Sequence, residues 1–466
     1  MKKTLSVILS LLMLVGIFTV AVLAAPDGGF TVSQDFIEPV THKTTVPEGF
    51  VPIYEVSDFF QLFFPDIGDG PWMPIIGGEP YIPNPAALNA KCILMNDLDL
   101  SPFIFDTDTL QINLSWGTAD APFTGVFDGN GYSISGFSSE SSGFFGVTDG
   151  AVIKNLALTN VDITIENATS PDFAVGALVD SATSTTIENC YVTGSITVTA
   201  TNNGSPQDDN VIAVGGLVGI ASDTVITKCY SAVDIDAVIT GAILTAGGIV
   251  GGFGGQSSSV QICYNSGDIS ASVDAMFFCL GGIAGIQSAA IKNCFNLGSL
   301  NNALQTNTAM VGGIVGYHTY PVIWCYNTGV ISTSPSISKK EIVGEYPFIQ
   351  LPIVDPNKIV SQCYFNKDIA SVIDWPVIKG LTDAQMRQQS SFAGFNFENI
   401  WAMPDGGGYP VFKSMVSQSE PQGEPEPQVD PEPMPTPSNG SLTQWLNNFI
   451  KSIMMAIIKM LTFGLL

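Results

Sequence analysis

The chain has 466 residues, 45% of them hydrophobic and only 12% charged, with 47 glycines and a formal net charge of −26. That length holds two or three ordinary domains or one long repeat array. Its 42 acidic residues outnumber 16 basic ones and no Lys/Arg cluster exists, which excludes nucleic acid as a partner, because phosphate binding needs a basic stripe.

At the N-terminus, Lys2 and Lys3 precede an apolar run from Leu5 to Val22, and Val22-Leu23-Ala24 places small residues before Ala25. This is the pattern of a bacterial-type secretory signal over residues 1–24, with an uncleaved anchor helix as the alternative. Residues 25–141 read as an N-terminal cap with lead-in strands. Within them, Asp97 and Asp99 lie two apart on an expected strand and so face one side, and Asp128 sits in a Phe-Asp-Gly-Asn-Gly turn. A polysaccharide lyase or hydrolase would work through such carboxylates. Turn formation and strand-edge solvation account for them without catalysis.

From residue 142 the chain repeats itself. Gly215-Gly-Leu-Val-Gly219, Gly247-Gly-Ile-Val-Gly251, Gly281-Gly-Ile-Ala-Gly285 and Gly312-Gly-Ile-Val-Gly316 read alike, with Gly176-Ala-Leu-Val-Asp180 as a weaker copy and Gly143-Phe-Phe-Gly146 as a degenerate one. The spacing between starts runs from 31 to 39 residues. A second signature follows each of the five: Ile187-Glu-Asn-Cys190-Tyr191, Ile226-Thr-Lys-Cys229-Tyr230, Cys263-Tyr264, Ile291-Lys-Asn-Cys294-Phe295 and Val322-Ile-Trp-Cys325-Tyr326; Cys363-Tyr364 adds one more. Asn265-Ser-Gly267, Asn296-Leu-Gly298 and Asn327-Thr-Gly329 then mark turns. Each unit reads as two or three short strands, which bury their apolar face only by stacking on their neighbours. The expected fold is therefore all-β, a right-handed parallel β-helix or β-solenoid over 142–366, followed by a closing segment over 367–415.

These paired signatures resemble the GLUG-motif repeats of bacterial surface proteins, across about residues 90–412. The lead-in Leu94-Met-Asn-Asp-Leu-Asp-Leu100 and the closing Gly380-Leu-Thr-Asp-Ala-Gln-Met386 and Gly408-Tyr-Pro-Val-Phe412 fit the same pattern. The resemblance implies a secreted or surface β-helix, often found beside adhesins or extracellular peptidases, and it brings no catalytic residues. Asp180 stands where the pattern has Gly, Leu156 where it has Cys, and the unit around Ile342-Val-Gly344 is worn.

Six of the eight cysteines recur once per unit, which stacks them in a ladder of buried thiols; disulfides between adjacent coils are the alternative. Their spacing, with only His42 and His318 besides, gives no metal site. No HExxH, GxSxG, Walker loop or triad is present, and nothing calls for a cofactor. The residue after each Cys points away from the core. Tyr191, Tyr230, Tyr264, Phe295, Tyr326 and Tyr364 are thus candidates for an outer stripe on which sugar rings stack, unless loops cover it.

Residues 416–440 form an acidic Pro-rich linker. Beyond it, 441–466 has helical apolar spacing: Trp445, Leu446, Phe449, Ile450, Ile453, Ile457 and Leu461. This face is expected to contact a membrane or a partner, or to fold back as a cap; Lys451 and Lys459 argue against a simple spanning helix. The functional expectation is a secreted or cell-surface, non-catalytic module for adhesion, scaffolding or carbohydrate contact. Its partners would be a host or neighbouring-cell surface or a polysaccharide, with the bacterial envelope engaged through the C-terminal helix. A polysaccharide-degrading β-helix enzyme and a purely structural surface protein are the alternatives.

Overall fold

The computed structural model describes residues 36–63, 85–101, 115–168, 172–201, 210–274, 278–302, 309–333, 339–344, 360–370 and 378–417. The signal segment, the Pro-rich linker and the C-terminal apolar helix lie outside the described residues.

The repeats wind into a parallel β-solenoid, as the spacing of the motifs requires. A representative coil runs through four strands: Val211–Gly215, Val218–Ser222, Val225–Thr227 and Tyr230–Thr240. Each strand pairs in parallel with its counterpart one coil away, which builds four sheets, numbered here first to fourth in that order. Among the described residues, the first and second sheets have six strands each, the third ten and the fourth fourteen. The third sheet starts at Val51–Ile53, which pairs with Lys91–Leu94 and then Val126–Asp128. The solenoid thus begins well upstream of the first recognisable motif, inside the segment read as a cap. The helix Val56–Phe63 adds Phe59 to the core, 5.5 Å from Trp116 and 5.7 Å from Phe144.

The motifs are explained by close approach. A Cβ on the first glycine of each pair, such as Gly215 or Gly247, would strike a carbonyl of its own coil, that of Val218 or Val250. A Cβ on the last glycine, such as Gly251, would strike the backbone of Val214 in the first sheet. The middle position is coupled to the Asn-x-Gly turn: Gly248, Gly282 and Gly313 leave room for Asn265, Asn296 and Asn327. Those asparagines are buried and form a ladder. Asn265 Nδ2 donates to Asn296 Oδ1 at 2.9 Å, and Asn296 Nδ2 to Asn327 Oδ1 at 2.8 Å. Each also donates to the carbonyl two residues on, which closes its turn. The residue before each ladder Cys, and before Leu156 in the same place, turns the corner between the third and fourth sheets in the left-handed region. Asn155, Asn189, Lys228, Ile262, Asn293, Trp324 and Gln362 all have φ between 51° and 56°.

Asp180 replaces the last glycine of the motif for a local reason. Among the described residues the first sheet begins at Phe173–Gly176, with no earlier strand beside it. The Asp180 carboxyl group fills that place, and its Oδ1 accepts the N–H groups of Gly143 at 2.8 Å and Gly176 at 3.2 Å. Burial pushes its carboxyl well above the usual range, and those two N–H donors oppose the shift.

Candidate functional site

The six ladder cysteines are free and buried, with side chains in the main core. Each Sγ lies against the carbonyl two residues before it, at 3.1–3.4 Å. Burial pushes the Cys229, Cys294 and Cys363 thiols well up. Cys92 is pushed up to about 12 by the same cause.

The aromatic stripe forms on the opposite side of the fourth sheet, as alternation demands. Tyr191, Tyr230, Tyr264, Phe295 and Tyr326 stack with centroids 4.7, 4.7, 4.8 and 5.0 Å apart and planes within 9°. That step is the strand spacing itself. All six rings, Tyr364 included, are buried, which is the covered arrangement left as the alternative to an outer stripe. The closing segment doubles back over them. It joins the fourth sheet as Ile378–Leu381, forms the helix Asp383–Met386 with a Thr382/Gln385 capping box, and then lays Phe392, Phe395, Trp401 and Phe412 along the stack. Trp401 Nε1 donates to Asn293 Oδ1 at 3.2 Å, Tyr326 Oη to the Pro410 carbonyl at 2.6 Å, and Tyr364 Oη to the Ala393 carbonyl at 2.9 Å. At the other end of the stack an N-terminal strap, residues 36–43, packs Phe36 edge-on to Tyr191 at 5.0 Å. The strap exchanges two 3.0 Å hydrogen bonds between Glu38 and Asn189. It also pairs Glu38 with Lys228 at 2.9 Å and Lys43 with Asp128 at 2.8 Å.

The carboxylates weighed as catalytic candidates all make hydrogen bonds or ion pairs within the solenoid. Asp97 Oδ1 accepts the Ser133 N–H at 2.7 Å and its hydroxyl at 2.8 Å. Asp99 accepts the Ser101 N–H at 2.9 Å, and these hydrogen bonds lower its carboxyl. Asp128 is fully buried between Lys43, Lys154 and the Asn130 N–H. The bond made by Asp97 recurs through the solenoid. Asp172, Asp223, Asp234 and Asp268 accept the N–H of Val211, Ser257, Asp268 and Ser299, each one coil later, at 2.7–3.1 Å. Part of the acidity is therefore rung pinning. Burial pushes His318 down to about 4, so it is neutral at pH 7. Among the described residues, no group of three His, Cys, Asp or Glu could hold a metal ion, and no helix is long and apolar enough to cross a membrane. The proposed membrane or partner contacts at Trp445, Leu446, Phe449, Ile450, Ile453, Ile457 and Leu461 lie outside the described residues.

The open surface is the far half of the fourth sheet. Beyond the covered aromatics its strands alternate strictly, as in Tyr230–Thr240, where Asp234, Asp236, Val238 and Thr240 are exposed between buried neighbours. In register, Thr164, Thr197, Asp236, Ser270, Asn301 and Ser332 form one column over six coils. Asp162, Ser195 and Asp234 form a second beside it, extended by Asp268. Neither column holds a Lys or Arg. This is a flat array of hydroxyl, amide and carboxylate groups repeating at the rung spacing. Its signal in the sequence is the period-two alternation of Ile196-Thr-Val-Thr199, Val233-Asp-Ile-Asp236 and Ile269-Ser-Ala-Ser272, which the repeat motifs alone do not reveal.

No protein-family model matches the chain, and no curated protein matches it. Two of the solved structures similar to it are the following. One is described as a candidate immunoglobulin A1 protease from Bacteroides ovatus, at 19% identity and a TM-score of 0.46, covering 80% of this chain and 94% of that one. The other is an IgA1 protease, at 19% identity and a TM-score of 0.40, covering 60% of this chain; this chain spans 20% of that one.

Proposed function

We propose that this chain is a GLUG-type repeat protein, exported and held at the cell surface, whose solenoid is a non-catalytic contact module for carbohydrate or a neighbouring surface. The observation that carries the reading is the uncovered polar columns of the fourth sheet. Hydroxyl, amide and carboxylate groups on a rigid parallel sheet are preorganised hydrogen-bonding partners for a polyhydroxylated ligand, because the side chains are held at a fixed spacing by the ladder beneath them. The aromatic stripe has a different task, since it cements both chain ends to the solenoid. Asp97, Asp99 and Asp128 are each committed to backbone or lysine partners, which favours contact over hydrolysis.

The test is binding of the full chain to a polysaccharide and whole-cell panel, comparing wild type with Thr197→Arg/Asp236→Arg. Thr197 is half-buried and Asp236 exposed, both on the face away from the core, so the expected result is loss of binding with unchanged thermal unfolding. Retained binding, or degradation of any polysaccharide on the panel, overturns the reading. Surface display is checked separately, by cell fractionation of the full chain against a chain ending at Gly440. Envelope retention of the first and release of the second is the expected outcome.

A further inference from the structure

The first and last described segments, 36–43 and 401–417, lie against the middle of the solenoid, not at its tips. Among the described residues, the outermost paired strands on the path of the chain are Val51–Ile53 and Ile378–Leu381. Yet Phe36 rests on Tyr191, whereas Phe412 lies 5.2 Å from Phe295 and 6.4 Å from Tyr264, with Met415 packed on the same cluster. Tyr191, Tyr230 and Tyr264 are successive rungs 4.7 Å apart. The strap and the closing segment therefore lie on one stripe, Phe36 at the Tyr191 rung and Phe412 across the Tyr264 and Phe295 rungs, two to three rungs away.

We infer that the two ends form a tension clasp. A solenoid pulled by an outermost coil peels, because each rung in turn bears the force alone, and stability in such arrays is passed only between neighbours. Here force entering through the chain on either side meets the stripe first. On one side it is resisted by Phe36 against Tyr191, the paired hydrogen bonds of Glu38 and Asn189, and the Lys228–Glu38 ion pair. On the other it is resisted by Trp401, which lies 4.7 Å from Phe395, 5.0 Å from Phe412 and 6.0 Å from Phe295. The end coils carry no tension until this contact opens. The clasp is independent of what the polar columns bind.

The experiment holds the full chain by its two termini in a force-clamp optical trap. The expected first event releases residues 36–50 and 382–417, at about 3.4 Å of contour per residue, with every coil intact. Coil-sized steps follow. Trp401→Ala shortens the lifetime of the clasped state at constant force by roughly a hundredfold, the factor expected for loss of a buried indole, and leaves the later coil steps unchanged. Should that variant fail to fold, Phe36→Ala at the half-buried tip of the strap reads the same event from the other side. Coil-sized steps that precede strap release, or a first-event lifetime insensitive to a folded variant, overturn the inference.

Discussion

Replacing Asp180 by Asn tests whether its carboxyl is an uncharged edge cap. The side chain is enclosed, and its Oδ1 faces the N–H groups of Gly143 and Gly176. An amide oxygen accepts both bonds equally well, so Asp180→Asn keeps the contacts and removes only the titration. Burial raises the folded carboxyl above its unfolded value. The native state then binds more protons than the unfolded one between the two values, so wild-type stability falls as pH rises from about 4. While the native carboxyl stays protonated, the advantage of Asp180→Asn grows by about 1.4 kcal/mol per pH unit, and below about pH 4 the two proteins converge. Urea denaturation at several pH values between 4 and 7 measures this difference directly. Parallel curves across that range, or a wild type that gains on the variant as pH rises, would refute the argument and show that the N–H donors hold the charged form.

Ile262 is a β-branched residue at φ 56° in a column that otherwise includes Asn189 and Asn293. Ile262→Asn should relieve up to about 1–2 kcal/mol of left-handed strain and raise the denaturation midpoint without changing its slope; a lower midpoint means that its apolar contacts at the edge of the stripe outweigh the strain. Asn296→Leu should cost about 2–4 kcal/mol, because it leaves ladder groups of Asn265 and Asn327 without the partner they now have; chemical denaturation reads it. The ladder thiols should resist iodoacetamide at pH 8 in the folded protein and react fully in denaturant, as followed by mass spectrometry. Rapid labelling of Cys229 or Cys294 in the folded state would contradict their burial.

The solenoid was legible because its geometry is repeated in the sequence. Gly-Gly-Leu-Val-Gly, Ile-x-x-Cys-Tyr and Asn-x-Gly recur because each coil must solve the same steric problem at the same place. Asp180 looked like a worn motif until the first sheet proved to start beside it. The direction of the aromatic side chains was also legible, since alternation sets it. Their covering was not. Nothing local in Phe392-Ala-Gly-Phe395 or Trp401 says that the chain turns back along the stack, and residues 36–43 have no periodicity to announce a strap. Contacts between segments more than a hundred residues apart, such as Glu38 with Asn189, leave no signature in a single sequence. The same limit hid the earliest coil, for Val51–Ile53 is too short to carry a pattern.

The doubling back of both ends also sets how many coils this protein can have. Parallel solenoids lengthen readily by duplication, since a copied unit meets the same neighbours as its parent. Here the strap reaches Tyr191 and the closing segment reaches back to Tyr264, with only Tyr230 between them. A duplicated coil inserted at that point would push the two covers apart and open an aromatic ring to water; a deleted one would drive them into each other. The two ends act as a gauge, and a lineage that changes its coil number in this stretch must alter the strap or the closing segment with it.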